Sequence, residues 1–336
     1  MAGSASSVAT GRLSAGDCHL DDFMAIVSEP TDASVYPNAA AVVDGVVVYD
    51  SELLGQLTDG DALRPAVLEE LATVLLSGPG VVVFRGAFSH DRVDAATEVF
   101  EQIIDRQRRS GSGGGDHFAK PGSNDRVWNA LEKLALADPE VFCDYYDNSV
   151  LALACEAWLG PAYQVTSQIN VVNPGGEAQQ PHRDYHLGFM TDDRAEHFPA
   201  HVHRLSPMLT LQGAVAHCDM PVETGPTMYL PHSHKYEAGY LAWRRPDFVE
   251  YFATHRLQLP LDKGDAIFFN PAVFHAAGTN RTENVRRMAN LLQVSSAMGR
   301  AMEKIDRRAM CNALFPVLRQ WRADGRPAPA IDRVIA

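Results

Sequence analysis

A histidine and an aspartate stand two positions apart in the segment Pro181-His182-Arg183-Asp184. Residues i and i+2 of an extended segment point to one side, so His182 and Asp184 can converge on one ion while Arg183 points away. An imidazole nitrogen and a carboxylate are two members of the facial triad that holds Fe(II) and leaves positions open for substrates. The pair alone is a weak signal, because this spacing arises often in surface segments.

A third candidate ligand, His275, follows 93 residues after His182, beyond the predicted strand 266–270. In a jelly roll this histidine would lie on a strand next to His182. Arg286 comes eleven residues later and opens the predicted strand 285–294. Its guanidinium could bind a carboxylate in a two-pronged pair near the metal. Strand alternation places Arg287 on the opposite face, which makes Arg287 the alternative.

The order and spacing of these residues resemble those of the phytanoyl-CoA dioxygenase family of Fe(II)/2-oxoglutarate oxygenases. The resemblance covers roughly residues 65–300. Residues 80–86 and 223–235 are also similar to segments of that family. The family's spacing between its second histidine and its oxoglutarate-binding arginine selects Arg286. Three positions depart from the family pattern without removing a proposed metal ligand: Arg183, His232 and Ala277.

The resemblance implies a mainly β protein with flanking helices, built on a double-stranded β-helix (jelly-roll, cupin-like) core. It implies that His182, Asp184 and His275 bind Fe(II) and that Arg286 binds the far carboxylate of 2-oxoglutarate. Molecular oxygen would be the co-substrate and ascorbate a stimulant. Further candidate cofactor contacts lie on neighbouring strands: Gln168, Asn170 and Thr227. The other interpretation of these three is polar pairing between strands on an outer face.

The expected reaction is hydroxylation of an unactivated C–H bond of a small molecule, with release of succinate and CO2. The substrate could be an acyl-CoA, an amino acid or a natural-product intermediate. Asp184 favours hydroxylation over halogenation, since related halogenases have glycine or alanine at that position. Three alternatives remain open: a desaturase or other oxidative enzyme using the same site, a cupin-like metal protein without oxoglutarate chemistry, and a binding module that has lost catalysis.

The remaining chain supplies the elements that position these residues. A hairpin over 42–49, a helix over 64–77, a strand over 81–84 and a helix after Ser89 are expected from their apolar spacing. Residues 1–30 are expected to form a flexible tail, and 31–336 a single catalytic domain. Within it we expect a mostly helical part (31–160), the jelly-roll core (161–300) and a C-terminal helical segment (301–336). The segments 110–126 and 185–205 are predicted to border the pocket and to order when substrate binds.

The amino-acid composition narrows the classes of molecule that the protein is expected to bind. The 336 residues include 29 Lys and Arg against 42 Asp and Glu, a net charge of −13, which argues against nucleic acid and anionic membranes. The five cysteines are odd in number and form no CxxC pair, which indicates reduced thiols and a cytoplasmic protein. No apolar run reaches the length of a membrane span. A small-molecule substrate is therefore the expected partner, and the sequence does not predict an oligomeric state.

Overall fold

Two β-sheets form the framework of the protein. The structure, a computed structural model, describes residues 11–58, 60–111 and 124–335. The strands within these ranges are β1 Ala41–Val43, β2 Val46–Asp50, β3 Val81–Arg85, β4 Asn124–Val127, β5 Gln164–Val172, β6 Thr210–Ala216, β7 Met228–Leu230, β8 Leu257–Gln258, β9 Ala266–Phe269, β10 Phe274–Ala276 and β11 Arg287–Ser295.

Helices precede, interrupt and follow the strands. They are α1 Leu20–Val27, α2 Ser51–Gly55, α3 Arg64–Leu76, α4 His90–Ser110, α5 Ala130–Ala137, α6 Pro139–Tyr146, α7 Ser149–Leu159, α8 Asp192–Ala195, α9 Ala200–Leu205, α10 Gly239–Ala242, α11 Pro246–His255, α12 Arg307–Ala323 and α13 Ala328–Ile335. Local sequence explains several of their starts. Asp138 and Asn148, for example, accept hydrogen bonds from backbone N–H groups in the first turns of α6 and α7. Within the described residues, no helix is both long and apolar enough to cross a membrane.

The larger sheet, here the major sheet, has the strand order β1-β2-β3-β9-β6-β11-β5-β4. The minor sheet has the order β10-β7-β8. Apolar side chains from the facing surfaces of both sheets pack together, among them Val83 and Ile267 of the major sheet and Tyr229 of the minor sheet. This sandwich is the predicted jelly roll, and the prediction of a mainly β core with flanking helices is confirmed.

Helices cover the outer face of the major sheet. Strand β9 alternates strictly, with Phe268 directed toward the helical layer and Ile267 toward the minor sheet. Val74 of α3 and Phe100 of α4 belong to the same buried cluster as Phe268. The segment predicted as mostly helical, 31–160, also supplies strands β1 to β4 of this sheet. Strand β3 pairs with β2 and β9 at its two edges, and it is buried on both faces because Val82 and Phe84 pack in the helical layer and Val81 and Val83 pack between the sheets.

The prediction of a flexible tail over residues 1–30 is wrong for the stretch that forms helix α1. Helix α1 packs its Phe23, which is fully buried, against Phe248 and Phe274. These aromatic side chains cover the outer face of the minor sheet, and that apolar contact orders the segment. Residues 1–10 lie outside the described residues, as do 112–123 of the predicted pocket-bordering loop.

Candidate metal centre and cofactor pocket

Two histidines from distant parts of the chain are paired side by side. His182 donates its backbone N–H to the His275 carbonyl (2.9 Å), and His275 donates its own to the His182 carbonyl (3.2 Å). Residues paired in this way carry their side chains on the same face of a sheet. The two imidazole rings accordingly lie 4.4 Å apart between centroids. The segment around His182 therefore extends the minor sheet beyond β10.

Asp184 completes a group of three. It lies two residues after His182, so alternation returns its carboxylate to the side of the two rings. The Nε2 atom of His182 is 3.7 Å from Asp184 Oδ1, and that of His275 is 3.4 Å from Oδ2. All three candidate ligand atoms lie within 4.8 Å of one another. The structure thus brings the three predicted metal ligands together.

Hydrogen bonds fix the protonation pattern that a metal needs. The Nδ1–H of His182 donates to the Gln180 carbonyl, and the Nδ1–H of His275 donates to the Val273 carbonyl, each at 2.9 Å. Each ring therefore presents the lone pair of Nε2 toward Asp184. Two neutral imidazole nitrogens and one carboxylate on a single face fit Fe(II) and leave the opposite coordination positions open.

Gln212 of β6 holds the carboxylate in place by donating its amide N–H to Asp184 Oδ2. Burial by itself would raise the pKa of Asp184. The neighbouring His182 and His275 rings and the hydrogen bond from Gln212 outweigh burial and keep that pKa below its usual range. Asp184 is therefore an ionised ligand at neutral pH.

Arg183, between the two ligands, points away from the site as predicted. Its guanidinium is buried and donates to the carbonyls of Ser233 (2.6 Å) and Tyr236 (2.9 Å). It also lies over the rings of Tyr240 (5.0 Å) and Phe274 (5.2 Å). These contacts anchor the metal-binding segment to the layer outside the minor sheet.

A cavity of about 540 Å³ opens over the three ligands, between the two sheets. Its wall includes the expected residues Gln168, Asn170 and Thr227. From the predicted bordering segment 185–205 it includes Phe189, and the described end of the segment 110–126 contributes Arg126.

The arginine expected to bind oxoglutarate does not face this cavity. Strand β11 begins at Arg287, not at Arg286, and pairs Arg287 with Val172 of β5. Arg286 lies on the outer side, where its Nη1 forms a 2.9 Å ion pair with Glu101 of α4 and its side chain is 39% exposed. Arg287 lines the cavity and is only 5% exposed. The prediction of Arg286 is wrong in position, because a register change of one residue moves a side chain to the other face.

Within the described residues, Arg287 is a buried cation with which no carboxylate forms an ion pair. Its Nη1 donates a long hydrogen bond of 3.4 Å to the Thr224 carbonyl. Burial lowers its pKa to about 10, so the guanidinium stays charged at neutral pH. A buried charge without a counterion is costly, and an anionic ligand would relieve that cost.

The other polar candidates divide into two groups. Asn170 has a buried amide oxygen with no partner among the described residues, and Thr227 lies one position before β7 in the same wall. Gln168 is already engaged: its amide oxygen accepts from Arg126 (3.0 Å) and its amide N–H contacts Glu303 (3.3 Å). Asn170 and Thr227 are thus available to a ligand, whereas Gln168 holds neighbouring side chains.

Several residues of the wall were not predicted. Gln212 alternates inward on a strand that the sequence did reveal, so the alternation itself could have identified it. Tyr229 carries its buried hydroxyl beside Thr227 in the same wall. Glu303 lies in the connection after β11, and no sequence spacing indicates that it returns to the cavity.

Comparison with known proteins agrees with this geometry. The profile of the phytanoyl-CoA dioxygenase (PhyH) family matches residues 77–288, more than half of the chain. The chain belongs to this family. The matched region contains His182, Asp184, His275 and both candidate arginines.

Individual relatives are distant. The dioxygenase trt7 of Aspergillus terreus is 26% identical over 244 residues, which are 70% of this chain and 76% of trt7. The dioxygenase andF of Emericella variicolor is 27% identical over 158 residues, 46% of this chain and half of andF. The crystal structure of AviO1 from Streptomyces viridochromogenes Tue57 shares the fold with a TM-score of 0.50 at 18% identity, covering 73% of this chain and all of that one.

The protein is a non-haem Fe(II)/2-oxoglutarate-dependent dioxygenase of this family. The predictions of the enzyme class and of iron and 2-oxoglutarate as cofactors are confirmed. The alternatives of a cupin-like protein without oxoglutarate chemistry and of a binding module without catalysis are set aside.

Proposed function

We propose that this phytanoyl-CoA dioxygenase family member hydroxylates an unactivated C–H bond of a small molecule, with release of succinate and CO2. In this proposal His182, Asp184 and His275 bind the iron, and Arg287 binds the distal carboxylate of 2-oxoglutarate. One observation carries it: a single cavity is lined both by the three ligands and by a buried arginine that has no counterion in the part of the chain that the structure describes.

The two histidines and Asp184 keep the metal on one side of the cavity. The backbone carbonyls of Gln180 and Val273 hold the imidazole rings in the tautomer that presents Nε2. Gln212 prevents Asp184 from rotating away. The bound iron would supply oxygen activation and the oxidation of the C–H bond, while the protein supplies orientation.

Arg287 orients the co-substrate. A two-pronged pair with the distal carboxylate would fix the long axis of 2-oxoglutarate relative to the metal ligands. The surrounding wall is apolar on its inward face, with Leu259, Ile267 and Ala289 in the same cavity. An apolar wall strengthens the charge pair, because few water molecules remain to screen it. The Tyr229 hydroxyl and Thr227 are additional polar contacts for this end of the molecule.

The carboxylate ligand favours hydroxylation. Asp184 occupies a coordination position that a halide would otherwise need, so the product is expected to gain oxygen and not a halogen. The same site could also carry out desaturation, and the two reactions differ in the fate of the oxygen atom. The cavity of about 540 Å³ falls in the range of roughly 300–1,000 Å³ that is typical of small-molecule sites.

A substrate panel under isotopic oxygen tests the proposal. Acyl-CoA thioesters, amino acids and polycyclic natural-product intermediates would be incubated with Fe(II), 2-oxoglutarate and ¹⁸O₂, and succinate and product masses measured together. We expect one compound class to show equimolar succinate and a product heavier by one ¹⁸O atom. A loss of two hydrogens with the same succinate yield would instead identify a desaturase. The variant Asp184→Ala serves as the control and should form neither product.

A further inference from the structure

A row of polar side chains crosses the inward face of the major sheet and starts at the metal ligand Asp184. Gln212 of β6 bonds to Asp184 and is paired in register with Gln293 of β11. The Gln293 amide oxygen is 3.5 Å from the Gln168 amide nitrogen on β5, and that nitrogen is 3.3 Å from Glu303 Oε1. Strands β6 and β5 are two spacings apart, roughly 10 Å. The row therefore ends at a carboxylate well separated from the metal side of the cavity.

Glu303 is held at this position through one of its oxygens only. Its Oε1 accepts the backbone N–H of Asn129 (2.9 Å) and the contact from Gln168. Its Oε2 is buried and has no hydrogen-bond partner among residues 11–58, 60–111 and 124–335. The terminal torsion of a glutamate is soft, so Oε2 can turn toward the cavity that Glu303 lines.

Both charged and apolar side chains surround Glu303: the cations of Arg126 and Lys133 act on its carboxylate electrostatically, and Arg126 lines the same cavity. Trp128, Phe189, Leu291 and Met302 line the same cavity. Burial raises the pKa of the Glu303 carboxyl, while the hydrogen bonds from Asn129 and Gln168 and the positive charges of Arg126 and Lys133 oppose that shift. A desolvated carboxylate oxygen of this kind gains most from a ligand that brings a hydrogen-bond donor.

We propose that Glu303 accepts a hydrogen bond from the substrate, and that the substrate is a predominantly apolar small molecule carrying a hydroxyl or ammonium donor. This inference rests on the proposed function, because it assumes that substrate occupies the cavity over the metal ligands. It disfavours substrates that place a carboxylate or phosphate directly against Glu303 Oε2, since the two like charges would repel each other.

A matched series of ring compounds provides the probes. Cyclododecanol and cyclododecylamine carry a donor, cyclododecyl methyl ether only an acceptor, and cyclododecanecarboxylate an anion. Their binding to the enzyme loaded with Fe(II) and 2-oxoglutarate would be measured anaerobically by calorimetry. The alcohol and the amine should each bind about tenfold or more tighter than the ether and the carboxylate, as expected for a hydrogen bond to a charged acceptor.

Two variants of the glutamate and one control separate the hydrogen bond from folding effects. Glu303→Gln keeps an oxygen for Asn129 and Gln168 but replaces Oε2 by an amide N–H donor. The amine should then lose about tenfold or more, and the ether should bind as well as the alcohol or better. Glu303→Leu should abolish the tighter binding of the alcohol and the amine relative to the ether and the carboxylate. Glu283→Gln removes an exposed carboxylate outside the cavity and should leave the ranking unchanged.

The inference is overturned if the unaltered enzyme binds the ether or the carboxylate as tightly as the alcohol. It is equally overturned if the enzyme binds none of the four probes. It is also overturned if Glu303→Gln and Glu283→Gln give the same ranking. The affinity for 2-oxoglutarate is measured in parallel. An unaltered enzyme that fails to bind 2-oxoglutarate refutes the proposed function, whereas normal 2-oxoglutarate binding without donor preference refutes only the role of Glu303.

Discussion

Removing the charge of Arg287 or of Arg286, one at a time, distinguishes the arginine that binds 2-oxoglutarate from the one that forms a surface ion pair. Arg287→Gln and Arg286→Gln remove the same charge from neighbouring positions with nearly the same volume. Arg287 is 5% exposed and lines the cavity, whereas Arg286 pairs with Glu101 near the surface with its side chain 39% exposed. The two substitutions should therefore act on different properties.

The expected sizes of the two effects follow from how deeply each arginine side chain is buried. Breaking a desolvated charge pair costs about 3–5 kcal/mol, which corresponds to a loss of 2-oxoglutarate affinity on the order of a hundredfold to several thousandfold. An exposed pair such as Arg286–Glu101 contributes about 0–1 kcal/mol, so its loss should change that affinity less than about fivefold. In the ligand-free protein Arg287→Gln removes a buried, unpaired cation, so the free energy of unfolding should stay the same or rise.

Anaerobic calorimetry of 2-oxoglutarate binding to the Fe(II)-loaded variants would measure the first effect, and thermal unfolding without ligand the second. In the unaltered protein, 2-oxoglutarate at a hundred times its dissociation constant should add about 2.7 kcal/mol of stability. Arg287→Gln should lose most of that gain at the same concentration. Weak binding in Arg286→Gln together with normal binding in Arg287→Gln would refute the register that the structure assigns to β11.

Three further outcomes are expected. Asp184→Ala should abolish one-to-one iron binding in an anaerobic titration while leaving thermal unfolding nearly unchanged, and iron binding equal to that of the unaltered protein would contradict the ligand assignment. Gly239→Ala would place a methyl group against the Arg183 guanidinium and should weaken iron binding about 10–100-fold through the displaced ligand segment. Burial lowers the pKa of His217 to about 3, so its contribution to stability should be lost as pH falls below about 6.5. Between pH 7 and pH 5, the free energy of unfolding measured with urea should fall by about 2 kcal/mol less in His217→Gln than in the unaltered protein.

The metal ligands were readable from the sequence because their constraints are local. His182 and Asp184 are two residues apart on one extended segment, and His275 follows shortly after the apolar strand 266–269, in the short strand β10. Strands β9 and β10 alternate as their sequences indicate. Local spacing thus predicted a β-sandwich or barrel, and the family resemblance added the jelly roll and the set of three ligands.

The predictions made from the sequence fail where a shift of one residue or a single long-range contact determines the position of a side chain. Arg286 and Arg287 are equivalent by composition, and only the pairing of β11 with β5 and β6 determines which faces inward. Glu303 reaches the cavity through a connection whose path depends on its bond to the backbone of Asn129. The burial of Phe23 likewise depends on aromatic partners more than 200 positions away. Such tertiary contacts leave no periodic signal in the sequence.

Release of labelled CO2 tests the central claim most directly. The protein would be loaded with Fe(II) and 2-oxoglutarate labelled with ¹⁴C at C1 and exposed to oxygen; the released ¹⁴CO2 would be counted and the unlabelled succinate quantified by mass spectrometry. We predict that the two products form in equal amounts, that both require iron, and that Asp184→Ala forms neither. Equal ¹⁴CO2 release from Asp184→Ala or from the metal-free protein would contradict the assignment of His182, Asp184 and His275 as the iron site.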